Sequence, residues 1–167
     1  MPKSLDARLA NARSSIFSPL YPSAPDELAT VHCISGVPFP TNGDRFAAQE
    51  VSKRQTKGKF TLSGFLCQAI AAGWHHKSDE ELRQLADQVG RSRILVVHGE
   101  MDRMVTFPHG EMLRDGLGKD ADGEGVKWIQ RVGQGHVVSI EEREEFGKWI
   151  REIVAKTEDL NREEAGL

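Results

Sequence analysis

The chain has 167 residues, 38% hydrophobic and 28% charged, which is the size and composition of one globular domain of mixed structure. Its net charge of -3, from 22 Lys and Arg against 25 Asp and Glu, argues against a nucleic-acid-binding surface. Apolar runs such as Ile94 to Val97 fall far short of the roughly 20 residues a membrane-spanning helix needs, and the opening residues carry no apolar signal core, so a cytoplasmic chain is expected.

The first half reads as short helices broken by prolines. Leu5 to Ala12 is a short amphipathic stretch, and Asn42 is placed to cap a helix through Asp44 to Lys53. Pro19, Pro22, Pro25, Pro38 and Pro40 interrupt the chain between them. Phe60 to Trp74, rich in apolar residues and poor in charge, predicts a largely buried helix or one lining an apolar cavity. Ser78-Asp79-Glu80-Glu81 is a capping box ahead of Leu82, Leu85, Ala86 and Val89 at helical spacing, and Gly90 supplies the stop.

The period then changes. Arg93 to Gly99 is a run of β-formers without alternation, as in a strand buried on both faces of a parallel sheet. Pro108 opens a helix through Met112, Leu113 and Leu117, and after the polar stretch Gly118 to Gly125, Val126 to Val132 reads as a second strand. Ser139, with Glu142 three residues on, predicts the cap of a last helix whose apolar face is Phe146, Trp149, Ile150, Ile153 and Val154. The polar residues after about Thr157 are expected to fray. Strand, helix, strand, helix is a parallel α/β unit. The expected division is 1–90 helical, 91–157 the βαβα part, and 158–167 a polar tail.

In an open parallel sheet, catalytic groups collect beyond the carboxyl ends of the strands. The two loops there are His98 to Val105 and Gly133 to Val138, so Asp102 and His136 are expected at one sheet edge, on strands about 5 Å apart. An acid accepting from one imidazole nitrogen fixes the tautomer and makes the other nitrogen a better base. Other combinations carry less. Cys33 and Cys67 form no C-x-x-C and have no neighbouring His at ligand spacing, so both read as reduced thiols. The rings of His75 and His76 cannot share one helical face, and Asp120 to Gly125 lacks the distal Glu of an EF-hand loop. No metal and no cofactor is expected.

Arg93-Ile94-Leu95-Val96-Val97-His98-Gly99 followed by Asp102, Phe107-Pro108 opening a helix, and Gly133-Gln134-Gly135-His136 before an acid-headed helix ending in Phe146 and Trp149 together resemble the C-terminal part of the α/β-hydrolase superfamily. The resemblance covers residues 93–155. It implies that Asp102 is the acid of a catalytic triad, that His136 is its general base, and that Phe39 to Val89 is a mostly helical lid. Phe65 and Trp74 then either line an acyl or aromatic substrate site beneath that lid or are plain core. The implied chemistry is esterase- or lipase-like hydrolysis of a small apolar or ester substrate.

One part of the family pattern is missing. The family order is Ser, acid, His, with the Ser in a G-x-S-x-G elbow, and no G-x-S-x-G occurs in the sequence. Ser35, in Cys33-Ile34-Ser35-Gly36-Val37, is followed by Pro38 and Pro40, which prevent the helix an elbow requires. Ser63 follows the charged stretch Lys53 to Lys59, and no HGGG-type oxyanion loop is present. The expected fold is therefore an incomplete α/β-hydrolase-like parallel sheet of about two strands with a helical lid, inactive alone. An unpaired sheet edge would favour self-association. A fragment or truncated product, a non-catalytic apolar-ligand-binding or regulatory relic, and a half-site completed by another chain all remain open.

Overall fold

The structure, a computed structural model, describes residues 4–26, 39–56, 58, 61–118 and 125–166. It is of mixed α/β class and forms two compact units, Met1–His76 and Lys77–Leu167.

In the first unit, helix α1 (Leu5–Ile16) starts where Ser4 accepts a hydrogen bond from the Ala7 N–H. Helix α2 (Asn42–Gln55) is capped by Thr41, whose hydroxyl oxygen accepts from the Asp44 N–H at 3.1 Å. The cap is thus one residue earlier than the sequence suggests, because Asn42 is needed inside. Its amide donates to the Tyr21 carbonyl and accepts from Arg45. Arg45 also donates to Asp26 at 2.8 Å and to the Tyr21 hydroxyl, and both Arg45 and Asp26 are buried. Phe17 stacks on Tyr21 and meets Phe46 edge-on beside this cluster. Helix α3 (Leu62–Trp74), capped by Thr61, lies outside that core and has no buried residue. The expectation of a buried helix is therefore corrected: among the described residues the aromatic core of the unit is built on α1, α2 and the Tyr21–Ser23 turn, and the apolar residues of α3 are exposed.

The second unit contains the sheet. Helix α4 (Asp79–Val89) has both halves of the Ser78–Glu81 capping box and ends at Gly90 with φ +88°. Strand β1 (Leu95–Gly99) runs parallel to β2 (Lys127–Arg131), pairing Val96 with Trp128 and Val97 with Ile129. Helix α5 (Phe107–Leu117) crosses between them. The core is Ala86 of α4, Val96 of β1, Leu117 of α5 and Val126, with Leu82, Ile94 and Trp128 packed around it. Glycines let α5 approach closely: a Cβ on Gly116 would lie 2.6 Å from Leu82 Cδ1. This packing places α4 with the sheet in the second compact unit, which begins at Lys77. Among the described residues the sheet has these two strands, each with one edge unpaired.

The C-terminal region departs from expectation twice. Ser139 lies inside a short helix α6 (Val138–Glu141), the chain bends at Glu142, and α7 (Arg143–Glu164) follows. The side chains of Glu141 and Glu142 are drawn to the β2 loop, and Glu142, at the N-cap position of α7, makes no side-chain cap hydrogen bond. The expected polar tail is also helical, to Glu164, because Arg93 reaches across to Asn161 at 3.2 Å and Glu164 at 2.7 Å and ties the last turns down. No helix of the described residues is long and apolar enough to cross a membrane.

Replacing Arg45 by Met should remove the buried guanidinium that pairs with Asp26 and destabilise the first unit by about 3 kcal/mol. The double change Arg45→Met with Asp26→Leu should recover most of that loss. Urea unfolding followed by circular dichroism reads both; equal losses for the single and double variants would contradict the pairing.

Candidate active site

Parallel pairing of β1 and β2 sends both chains out at the same sheet end, and the two following loops are locked together there. Met101 N–H donates to the Gln134 carbonyl at 2.8 Å, and Glu100 N–H donates to that of Arg131. The approach is so close that a Cβ on Gly99 would sit 2.2 Å from the Gly135 carbonyl oxygen and 2.4 Å from that of Gln134. These are backbone atoms with no room to yield, so only glycine fits at position 99.

Asp102 follows three residues later and is buried. Its Oδ1 accepts from the backbone N–H groups of Met104 and Val105 at 2.8 and 2.9 Å, an Asx-type turn that fixes the carboxylate. Its Oδ2 lies 2.8 Å from His136 Nδ1. An ionised carboxylate only accepts, so Nδ1 carries the hydrogen, and in the neutral ring Nε2 presents its lone pair. Burial alone would push the Asp102 pKa up, but the hydrogen bond from His136 and those from Val105 and Met104 outweigh it and hold the carboxyl below the ordinary aspartate value. The two partners differ in access: the Asp102 side chain is 5% exposed and that of His136 35%. The carboxylate is hidden and the imidazole faces solvent.

The His136 loop is held from a second side. Glu142 forms a two-point ion pair with Arg131 at the end of β2 and accepts from the Gln134 side chain at 3.2 Å. Glu141 accepts from the Gly135 N–H at 3.2 Å, and the Arg131 guanidinium lies over the Trp149 ring of α7. Gly133, with φ +76°, makes the turn that starts this loop.

Of the residues singled out in the sequence, Asp102 and His136 are brought into contact. Phe65 and Trp74 stand on α3 in the first unit, 53% and 84% exposed. Ser63 is in the first turn of α3, exposed, with its hydroxyl donating to Thr61 Oγ1 at 3.3 Å. Cys33 and Ser35 fall outside the described residues. Among the described residues no group of three or more His, Cys, Asp or Glu could hold a metal ion. The sequence reading missed the roles of Gly99, Glu141 and Glu142, and it missed His98, which lies 3.8 Å from Asp102 Oδ2. Only the i, i+4 spacing of His98 and Asp102 could have signalled the last.

No protein-family model matches the chain, and neither a curated protein nor a solved structure matches it.

Gly99→Ala should push the two loops apart, cost about 2–3 kcal/mol and break the Asp102–His136 bond. Denaturant titration and crystallography of the variant read the two effects; an unchanged midpoint would contradict the close approach. The pH dependence follows from the lowered Asp102 pKa. Its stabilising contribution is complete above the unfolded value near 4 and is lost as pH falls through the lower folded value. Asp102→Asn should therefore lower stability at neutral pH and flatten this acid limb, both measurable by urea titrations at several pH values.

Proposed function

We propose that the second unit supplies the orienting acid and general base of an α/β-hydrolase-like serine hydrolase, acting in acyl-ester hydrolysis. The supporting observation is the 2.8 Å bond between buried Asp102 and accessible His136, which leaves Nε2 free of the hydrogen. With a nucleophilic hydroxyl against Nε2, His136 would take its proton as the oxygen attacks the acyl carbon, and Asp102 would stabilise the imidazolium. His136 would then return the proton to the leaving alcohol.

The same reading assigns no nucleophile, since the sequence holds no G-x-S-x-G and no HGGG-type loop. Without them most of the rate enhancement is absent, and the chain alone should be at best a slow esterase. A second reading, a non-catalytic module for an apolar ligand, draws support from α3, where Leu62, Phe65, Leu66, Ile70 and Trp74 are exposed without a charged residue between them.

A fluorophosphonate probe should leave the chain unlabelled, while slow hydrolysis of a p-nitrophenyl ester should fall to the level of free imidazole in His136→Gln. Stoichiometric labelling of a serine would overturn the missing nucleophile, and ester hydrolysis indifferent to His136→Gln would overturn the base. The binding reading instead expects a higher melting temperature with an apolar ligand, reduced by Trp74→Ala.

A further inference from the structure

His98, the fourth residue of β1, is a mostly buried titratable group with no role in the proposed chemistry; its side chain is 11% exposed. Its Nδ1 lies 3.0 Å from the Gly99 carbonyl oxygen, and a carbonyl only accepts, so Nδ1 carries the hydrogen. In the neutral ring Nε2 is then a bare lone pair. That nitrogen is buried without a hydrogen-bond partner, and 3.8 Å away is Asp102 Oδ2, the oxygen that also receives His136.

The ring has little freedom to turn away. A Cβ on Gly110 would fall 2.4 Å from His98 Cδ2, and the Phe107 ring meets the imidazole edge-on at 5.7 Å. Neither of these α5 residues titrates, and the register partner on β2, Gln130, is neutral. Among the described residues the ion pair to His98 comes from Asp102, and the more exposed His136 meets the same carboxylate.

We propose that His98 is a second proton-holding partner of Asp102, a positioning residue that competes with His136 for the same carboxylate oxygen. A proton taken from solvent onto Nε2 would turn a lone pair opposed to a carboxylate into a donor, and a small shift closes 3.8 Å to a hydrogen bond. No covalent bond other than the new N–H changes. Once His98 is charged, Oδ2 is shared and a second positive ring beside it is disfavoured, so His136 is a weaker base. With His98 neutral, Asp102 serves His136 alone. The inference deepens the base assignment and rests on the Asp102–His136 pair.

The test is nitrogen NMR of both imidazoles across pH in the full 167-residue chain and in His98→Gln, His136→Gln and Asp102→Asn. At high pH, His98 should show a protonated Nδ1 and a bare Nε2. His136→Gln should raise the pH of half-protonation of His98 by roughly one unit, the scale at which two sites titrate as a pair, and His98→Gln should do the same to His136. Asp102→Asn should lower both. A His98 ring neutral until the chain unfolds, or one unmoved by His136→Gln, overturns the proposal. If His136 responds to Asp102→Asn and not to His98→Gln, this inference alone fails; if it ignores Asp102→Asn, the base reading fails too. Amide spectra check that each variant folds, and the two histidine variants decide the matter if Asp102→Asn does not.

Discussion

The site depends on one steric fact, the absence of a side chain at Gly99. The backbone of 134–135 crosses the end of β1 where any Cβ would overlap two carbonyl oxygens. That crossing lets Met101 donate to Gln134 and sets the loop after β2 against the loop after β1. Asp102 and His136, 34 residues apart in the chain, then meet at 2.8 Å. Parallel pairing supplies the common sheet end, and the glycine turns proximity into contact.

Around this contact the polar groups divide into two sets. Backbone N–H groups of Met104 and Val105 hold Oδ1, while Oδ2 accepts from His136, and these bonds hold the buried carboxyl below the ordinary aspartate value. Glu141, Glu142 and Arg131 clamp the His136 loop from the opposite side, which restricts the ring without closing it off from solvent. Such pre-set orientation is what an orienting acid and base need, since little reorganisation remains for the moment of proton transfer. The first unit follows a separate logic: a buried Arg45–Asp26 pair and three aromatic rings hold α1 to α2, and an uncharged α3 remains exposed.

Local patterns carried the sequence reading a long way. The Ser78–Glu81 box, the strand run ending at Gly99 and Pro108 at a helix start each depend on neighbours within a few residues, and each is found in the structure. That Asp102 and His136 leave the sheet at one end follows from strand direction. What escaped depends on distant partners. Ser139 and Glu142 have the spacing of a capping box, yet Arg131 claims the glutamate and the helix breaks there. The tail beyond Thr157 has no apolar face to announce a helix, and Arg93, about 70 residues upstream, holds it. Gly99 looked like a strand end, and no pattern of residues reports how near another backbone passes.

The central claim is that Asp102 orients His136 as a base with its hydrogen on Nδ1. Proton NMR of the full chain tests it most directly. The account expects a downfield, slowly exchanging His136 Nδ1–H signal that disappears in Asp102→Asn while the amide spectrum stays folded. A His136 ring carrying its hydrogen on Nε2, or an Nδ1–H signal unchanged by Asp102→Asn, would contradict it.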